Sequence, residues 1–211
     1  MLSAEQREEL EHYYQVVRPY FQICAGRSVL EIGPFNGIIT NLYCNVAGSI
    51  ELVEPNSGAL DELLRNFPQA TVVWNDIFEY LKTPKEFDVV VCLGVLYHLH
   101  SPIQLLEQLA NDVKPKYMLL DMSVNEHKVE GPQGDYYNVG LGFEDVNQPG
   151  NFYTKPGKPD QRTAKLNLTA FGPNVVTLVM DGLGYRPLCR PLQSPIGFKG
   201  ELAFMAFERI N

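Results

Sequence analysis

The chain has 211 residues, 45% of them hydrophobic, with a formal net charge of -8 at pH 7 and a pI near 5.0. That size and apolar content suit one well-buried domain over 1–211 and exclude a disordered or fibrous chain. The acidic balance opposes general adsorption to nucleic acid or anionic lipid.

The opening run MLSAEQREELEHYYQVV carries charge and helical periodicity rather than a continuous apolar core. It predicts neither a signal peptide nor a membrane span, and hence a cytoplasmic protein. Residues 1–22 are expected to form a helical cap that turns Leu10, Tyr13, Tyr14, Val17 and Tyr20 toward the body, with Pro19 interrupting it near its end. The apolar runs SVLEIG, SIELVEP, ATVVWND, FDVVVCLGV and YMLLDMS follow, separated by helical stretches such as GALDELLRNF and SPIQLLEQLAND. This alternation predicts an α/β domain with a parallel sheet and right-handed crossovers. IITNLYCNVAG, after Gly37, reads as a further helix, and Ser101 and Pro102 as the cap and first turn of another. From Val124 to Pro173 the chain is rich in Gly, Pro, Asn and Tyr without a long periodic run, the pattern of a lid, functional loop or interface arm inserted in the domain. NVVTLVMDGLG then reads as a helix, and YRPLCRPL and ELAFMAFERI as an antiparallel pair of strands at the sheet edge. Cys24, Cys44, Cys92 and Cys189 contain no C-x-x-C pair and are expected to be reduced structural thiols.

SVLEIGPFNG carries the first chemical signal, because a strand containing Glu31 runs into a turn punctuated by Gly33 and Gly37. A turn without Cβ atoms lets a ligand approach the backbone, and a helix beginning there would offer free N–H groups. The dinucleotide fingerprint G-x-G-x-x-G is not met, since Phe35 stands where its middle glycine would fall. Ordinary tight-turn chemistry is the competing reading. Glu54 closes the second strand in LVEPN, where an acid can accept from a ribose diol. Asp76 closes the third in WNDIF, where it could accept from an adenine amino group with Ile77 or Phe78 against the ring. Both acids also suit plain turns. The fourth strand exits through Cys92, Leu93 and Gly94 into the crevice outside the strand ends, the usual ligand position in open α/β sheets.

The ordered set EIGPFNG, VEP, ND and FDVVVCLGVLYHLHSP resembles the class I S-adenosylmethionine-dependent methyltransferases over roughly 28–123. The resemblance implies a Rossmann-like open sheet in the order 3-2-1-4-5-7-6, with helices on both faces and an antiparallel C-terminal hairpin. It implies S-adenosylmethionine as cofactor and S-adenosylhomocysteine as product. Glu31, Gly33, Phe35 and Gly37 would then border the methionine end, Glu54 and Pro55 the ribose, and Asp76 and Ile77 the adenine, with Leu93 and Gly94 alongside. Phe35 departs from the family's E/D-x-G-x-G-x-G pattern, which bears on packing around the methionine moiety. GVLYHLHSP is similar to the loop of the subgroup containing the tRNA wobble-uridine carboxymethyltransferase and its small-molecule relatives.

The expected reaction is in-line methyl transfer to an oxygen or nitrogen of a small molecule. His98, just beyond the fourth strand, is the candidate base, since an ordinary imidazole pKa of about 6.5 suits proton transfer near neutrality; a structural role, hydrogen-bonding backbone or shaping the pocket, is the equal alternative. Tyr97, His98, Tyr136, Tyr137, Tyr153 and Arg162 are candidate substrate contacts, and Phe143, Phe152 and Lys165 could join them. The same aromatic segment would equally serve as a dimer surface, so a homodimer stays open. No metal is expected: Asp121 is a lone carboxylate at a strand end, better explained by backbone hydrogen bonds. A nicotinamide-dependent oxidoreductase, a tRNA-modifying transferase and a non-catalytic cofactor-binding assembly protein are the alternatives.

Overall fold

The computed structural model describes residues 12–83, 85–99, 101–124, 127–130, 136–139, 141–145, 164–168, 173–194 and 201–210. Its centre is a sheet in which β1 (Ser28–Ile32), β2 (Ser49–Glu54), β3 (Thr71–Trp74), β4 (Val89–Cys92) and the first half of β5 (Tyr117–Val124) run parallel. The long strand β12 (Glu201–Arg209) lies antiparallel to β5, with Glu201 opposite Val124 and Glu208 opposite Tyr117. β10 (Tyr185–Pro187) closes that edge antiparallel to β12, giving the spatial order β10-β12-β5-β4-β1-β2-β3. Counting β12 as the seventh strand and β10 as the sixth, this is the expected 3-2-1-4-5-7-6 arrangement. A second short strand, β11 (Leu192–Ser194), also pairs with β12, so the stretch read as one strand is split in two.

Both faces of the sheet are covered, which explains why the central strands are apolar throughout rather than alternating. Val89, Val90, Val91 and Cys92 are all buried. One face packs on α3 (Ile77–Tyr80), α4 (Pro102–Gln108) and α5 (Pro173–Gly182), with Leu105, Leu106, Leu109, Val176 and Met180 against Leu30, Val90 and Leu120. The other carries the N-terminal segment and α2 (Leu60–Asn66), with Val17, Phe21, Leu63 and Phe67 against Val29, Leu52 and Val91. Phe21 stacks on Tyr43 at 5.8 Å between centroids and meets Phe204 of β12 at 6.5 Å, tying that segment across the sheet. Each such side chain contributes about 1.5–3 kcal/mol by leaving water.

The expected N-terminal cap is helical over 12–17 (α1) and tightens into a 3-10 helix at Arg18–Cys24, with Pro19 in its first turn; Leu10 lies outside the described residues. Pro102 opens α4 as expected, but the Ser101 side chain makes no capping hydrogen bond. The helix expected from IITNLYCNVAG does not form. Only Thr40–Leu42 makes a 3-10 turn, followed by turns through residue 46. The β-branched run Ile38-Ile39-Thr40 and two asparagines are poor helix formers, and the Thr40 hydroxyl is drawn to a buried carboxylate at 2.6 Å.

Within 124–173, where no regular run was expected, two antiparallel pairs are described: β6 (His127–Glu130) with β7 (Tyr136–Val139), and β8 (Leu141–Asp145) with β9 (Ala164–Leu168). No described helix is long and apolar enough to cross a membrane.

Candidate functional site

Three buried carboxylates gather at the carboxyl ends of the parallel strands: Glu31 on β1, Glu54 on β2 and Asp121 on β5, each 2% exposed. Burying a charge is costly unless it is paired or hydrogen-bonded, and each of these carboxylates has hydrogen-bond donors. Glu31 Oε2 accepts from the Thr40 and Tyr43 hydroxyls, both at 2.6 Å. Glu54 Oε2 accepts from the Phe35 N–H at 2.8 Å and its Oε1 from the Asn56 N–H at 2.8 Å. Asp121 Oδ1 accepts from the Gly94 N–H at 2.6 Å; the residue lies within β5, just past its parallel pairing with β4. Among the described residues no ion pair reaches any of the three, and no group of His, Cys, Asp and Glu is placed to hold a metal.

Burial pushes the Glu31 carboxyl up to about 7 against the pull of its two hydroxyl donors, with the Glu54 charge adding to the rise. Burial likewise raises Asp121 to about 7, against the Gly94 N–H, and raises Glu54 against its two backbone donors. The phenol of Tyr14, on α1, is held well above its ordinary pKa by burial and then by the charges of Asp121 and Glu31. Tyr14 thus belongs to this edge, although no spacing in the sequence links it to residues so far along the chain.

The two glycines have separate reasons. Gly33 has φ +65°, and a Cβ there would lie 2.7 Å from Val95 Cγ2, so the turn after β1 presses against the turn after β4. Gly37 has φ +77°, and its Cβ would lie 2.1 Å from the Phe67 ring. Phe35, between them, takes φ 51° and is 45% exposed. It adopts without glycine the left-handed backbone that glycine favours.

Asp76 accepts from the Phe78 and Glu79 N–H groups at 2.8 and 3.3 Å through Oδ1, and so serves as N-cap of α3. Ile77 is buried, while Trp74 is 66% exposed and donates Nε1–H to the Pro55 carbonyl at 3.1 Å. β4 leads through buried Leu93 to Gly94, φ +76°, and a 3-10 turn at Leu96–His98 closed by the His98 N–H on the Val95 carbonyl at 2.8 Å. Burial pushes the His98 imidazole down to about 4. Tyr97, Tyr136, Tyr137, Phe143 and Lys165 are described by backbone alone, and Phe152, Tyr153 and Arg162 lie outside the described residues.

The family model for a methyltransferase domain matches residues 3–152. The chain belongs to the methyltransferase-domain family. Over 103 residues, 46% of this chain and 37% of its relative, it is 29% identical to a mitochondrial ubiquinone biosynthesis O-methyltransferase of Schizosaccharomyces pombe. Over 123 residues, 56% of this chain and 42% of the relative, it is 29% identical to a tRNA U34 carboxymethyltransferase of Campylobacter lari. The chain spans about half or less of the length of these curated relatives. The fold is similar to magnesium protoporphyrin IX methyltransferase of Synechocystis, solved with bound SAH, at a TM-score of 0.66 and 12% identity over 99% of this chain and 89% of that one. The N-methyltransferase NodS of Bradyrhizobium japonicum superposes with a TM-score of 0.61 at 14% identity, over 95% of this chain and 87% of that one. The family resemblance and the strand order expected from the motifs are borne out together.

The raised carboxyls set a pH dependence of stability. Glu31 and Asp121 each hold a proton more tightly folded than unfolded, so the stability these two groups contribute is full below about pH 4 and is lost as pH rises through about 7. The expected slope is about 1 kcal/mol per pH unit per carboxylate. Asp88, lowered mainly by the Ser28 backbone and hydroxyl, works in the opposite sense at the other end of the sheet. Urea unfolding across pH 4.5 to 7 is expected to show a flatter dependence for the Glu31→Gln, Asp121→Asn double variant than for the wild type. Parallel curves would remove these two groups as its source.

Proposed function

We propose that this protein is an S-adenosylmethionine-dependent methyltransferase acting on an oxygen or nitrogen of a small molecule, with its cofactor site at the carboxyl ends of β1, β2 and β4. The observation that carries this reading is Glu54: a buried carboxylate at the end of β2 whose donors include the N–H of Phe35 in the glycine turn. Each of its oxygens uses one acceptor direction on backbone, and a carboxylate has about four, so the hydroxyls of a ribose diol fit the remainder. The fit extends to charge: among the described residues no ion pair reaches Glu31, Glu54 or Asp121, and carboxyls that burial raises ionise more readily beside a positive sulfonium. Asp76 has one oxygen on the α3 cap, with its other oxygen left for an adenine amino group. Gly33, Phe35, Gly37, Pro55, Ile77, Leu93 and Gly94 complete the proposed cofactor set.

When bound, S-adenosylmethionine supplies a methyl group on a positive sulfur, which passes in line to an acceptor lone pair. The residues of this chain then position the acceptor, exclude water and receive or relay its proton. His98 is proposed to stand at that acceptor, with Tyr97, Tyr136, Tyr137, Tyr153 and Arg162 as candidate contacts. Burial keeps its imidazole neutral through the physiological range, so it is always able to accept a hydrogen bond but is a weak base. The dependence of kcat on pH is therefore expected to show no inflection near 6.5 from His98. An inflection there that disappears in His98→Gln would restore the stronger base.

Calorimetry with S-adenosylmethionine and S-adenosylhomocysteine tests the cofactor assignment, and absence of binding by folded protein at millimolar ligand would sink it. The match to tRNA U34 carboxymethyltransferases supports a second reading, modification of tRNA. Salt-sensitive tRNA binding would favour it over a small acceptor.

A further inference from the structure

The turn after β4 carries His98 and leans on the glycine turn after β1, yet its hold on the rest of the sheet comes from a neighbouring strand. Asp121 sits where β5 pairs with β12, opposite Phe204, fully enclosed except for 2% of its surface. Its Oδ1 takes the N–H of Gly94 at 2.6 Å. Gly94, two residues beyond the end of β4, takes the left-handed backbone at φ +76°. The next residue, Val95, fills the space over Gly33 that a Cβ would need. Leu96 is fully buried in the core, and the Val95 carbonyl accepts from the His98 N–H. A continuous set of contacts therefore runs from Asp121 through Gly94 and Val95 to Gly33 on one side and to His98 on the other.

We infer that Asp121 is a positioning residue: its carboxylate fixes the Gly94 peptide and thereby sets the placement of both the Gly33 turn and the turn bearing His98. The inference rests on the proposed methyltransferase reading for its function, but its geometry stands apart from the identity of cofactor or acceptor. A hydrogen bond from a backbone N–H to a charged acceptor is stronger than one between neutral groups, so the hold on Gly94 is expected to tighten as the carboxylate ionises. The titratable groups facing Asp121 are Tyr14 from α1 and Cys92 from β4, both kept neutral by burial and by the Asp121 charge. Among the described residues no basic side chain pairs with it.

Hydrogen exchange and calorimetry on the whole chain separate this role from a general one. Asp121→Ala is expected to raise exchange at Gly94 and the neighbouring amides of 94–98 by about tenfold or more, to raise it in the 33–37 turn, and to leave the β2 and β3 amides unchanged. Asp121→Asn, which keeps an acceptor oxygen, is expected to restore most of that protection. In the wild type, protection at Gly94, corrected for intrinsic exchange, is expected to grow between pH 6 and 8, and in Asp121→Asn to stay flat. Wild-type exchange at 94–98 in Asp121→Ala would overturn the inference. If that variant does not fold, identical pH profiles for the wild type and Asp121→Asn would overturn it instead. Titration with S-adenosylhomocysteine reports separately: failure of the wild type to bind counts against the proposed function and leaves the exchange result readable, whereas weakened binding in Asp121→Ala, rescued by Asp121→Asn, supports both.

Discussion

Glu54→Ala is expected to lower the affinity for S-adenosylhomocysteine by at least about 100-fold while leaving a cooperative fold. On the proposed reading the carboxylate holds two ribose hydroxyls, and a hydrogen bond to a charged group contributes about 1.5–3 kcal/mol, so losing two exceeds the 2.7 kcal/mol or so that a factor of 100 represents. The same substitution strips the Phe35 and Asn56 N–H groups of their acceptors, so the glycine turn should also become more mobile. Glu54→Gln separates these effects. Its amide can accept through one oxygen only, and its NH2 would face either Phe35 or Asn56 as donor against donor. Weakened binding is therefore expected in both variants, greater in alanine. Calorimetry with wild-type affinity in a folded Glu54→Ala would place the ribose elsewhere.

Gly37→Ala is expected to cost about 2–5 kcal/mol of folding stability, combining the left-handed backbone penalty with overpacking. The added methyl would fall 2.1 Å from Phe67 Cε2 and 2.6 Å from Cζ. Phe67 is itself 1% exposed at the end of α2 and packed in the core with Leu63 and Leu52. For a domain of this size each kcal/mol lowers the melting temperature by about 2–4 °C, so calorimetric melting reads the effect directly. Phe67→Leu in the same chain should return part of the loss, since the clash is with the ring edge; the backbone penalty would remain. A single variant within about 0.5 kcal/mol of wild type would mean that the ring moves aside freely.

These two residues also show how far the sequence could be read. The strand runs and the C-terminal pair were legible because two-sided burial leaves uninterrupted apolar strings, and strand ends are marked by Gly33, Glu54, Asp76 and Gly94. The position of Gly37 was legible, but its cause was not: the space a side chain would need is filled by Phe67, a contact between distant stretches of chain. Similarly, the run after Gly37 has the length and apolarity of a helix, yet the Thr40 and Tyr43 hydroxyls turn inward to Glu31 and only short turns remain. Asp76 was read as a ligand contact, and its nearest partners are the backbone donors of α3, a local cap that the sequence ND followed by an apolar run also describes. Helical periodicity turns Tyr14 toward the body but gives no sign of its relation to Asp121 and Glu31, which arises only when the N-terminal segment folds across the sheet. For 124–173 no period is visible because the strands there are four or five residues long, too short to establish an alternation among the surrounding Gly and Pro.

The place of β12 in the sheet bears on how the protein is made. It lies between β5 and β10, so the neighbours on either side of it are synthesised first and wait for it. Until residues 201–209 leave the ribosome, β5 presents an open edge along Tyr117–Val124, with apolar Met118, Leu119 and Leu120 beside it. Such an edge is a template for strands of other chains, and closing it requires the whole of 125–200 to be looped out. Folding should accordingly be slow relative to a helical domain of equal stability, and nascent chains halted before residue 201 should be prone to aggregate.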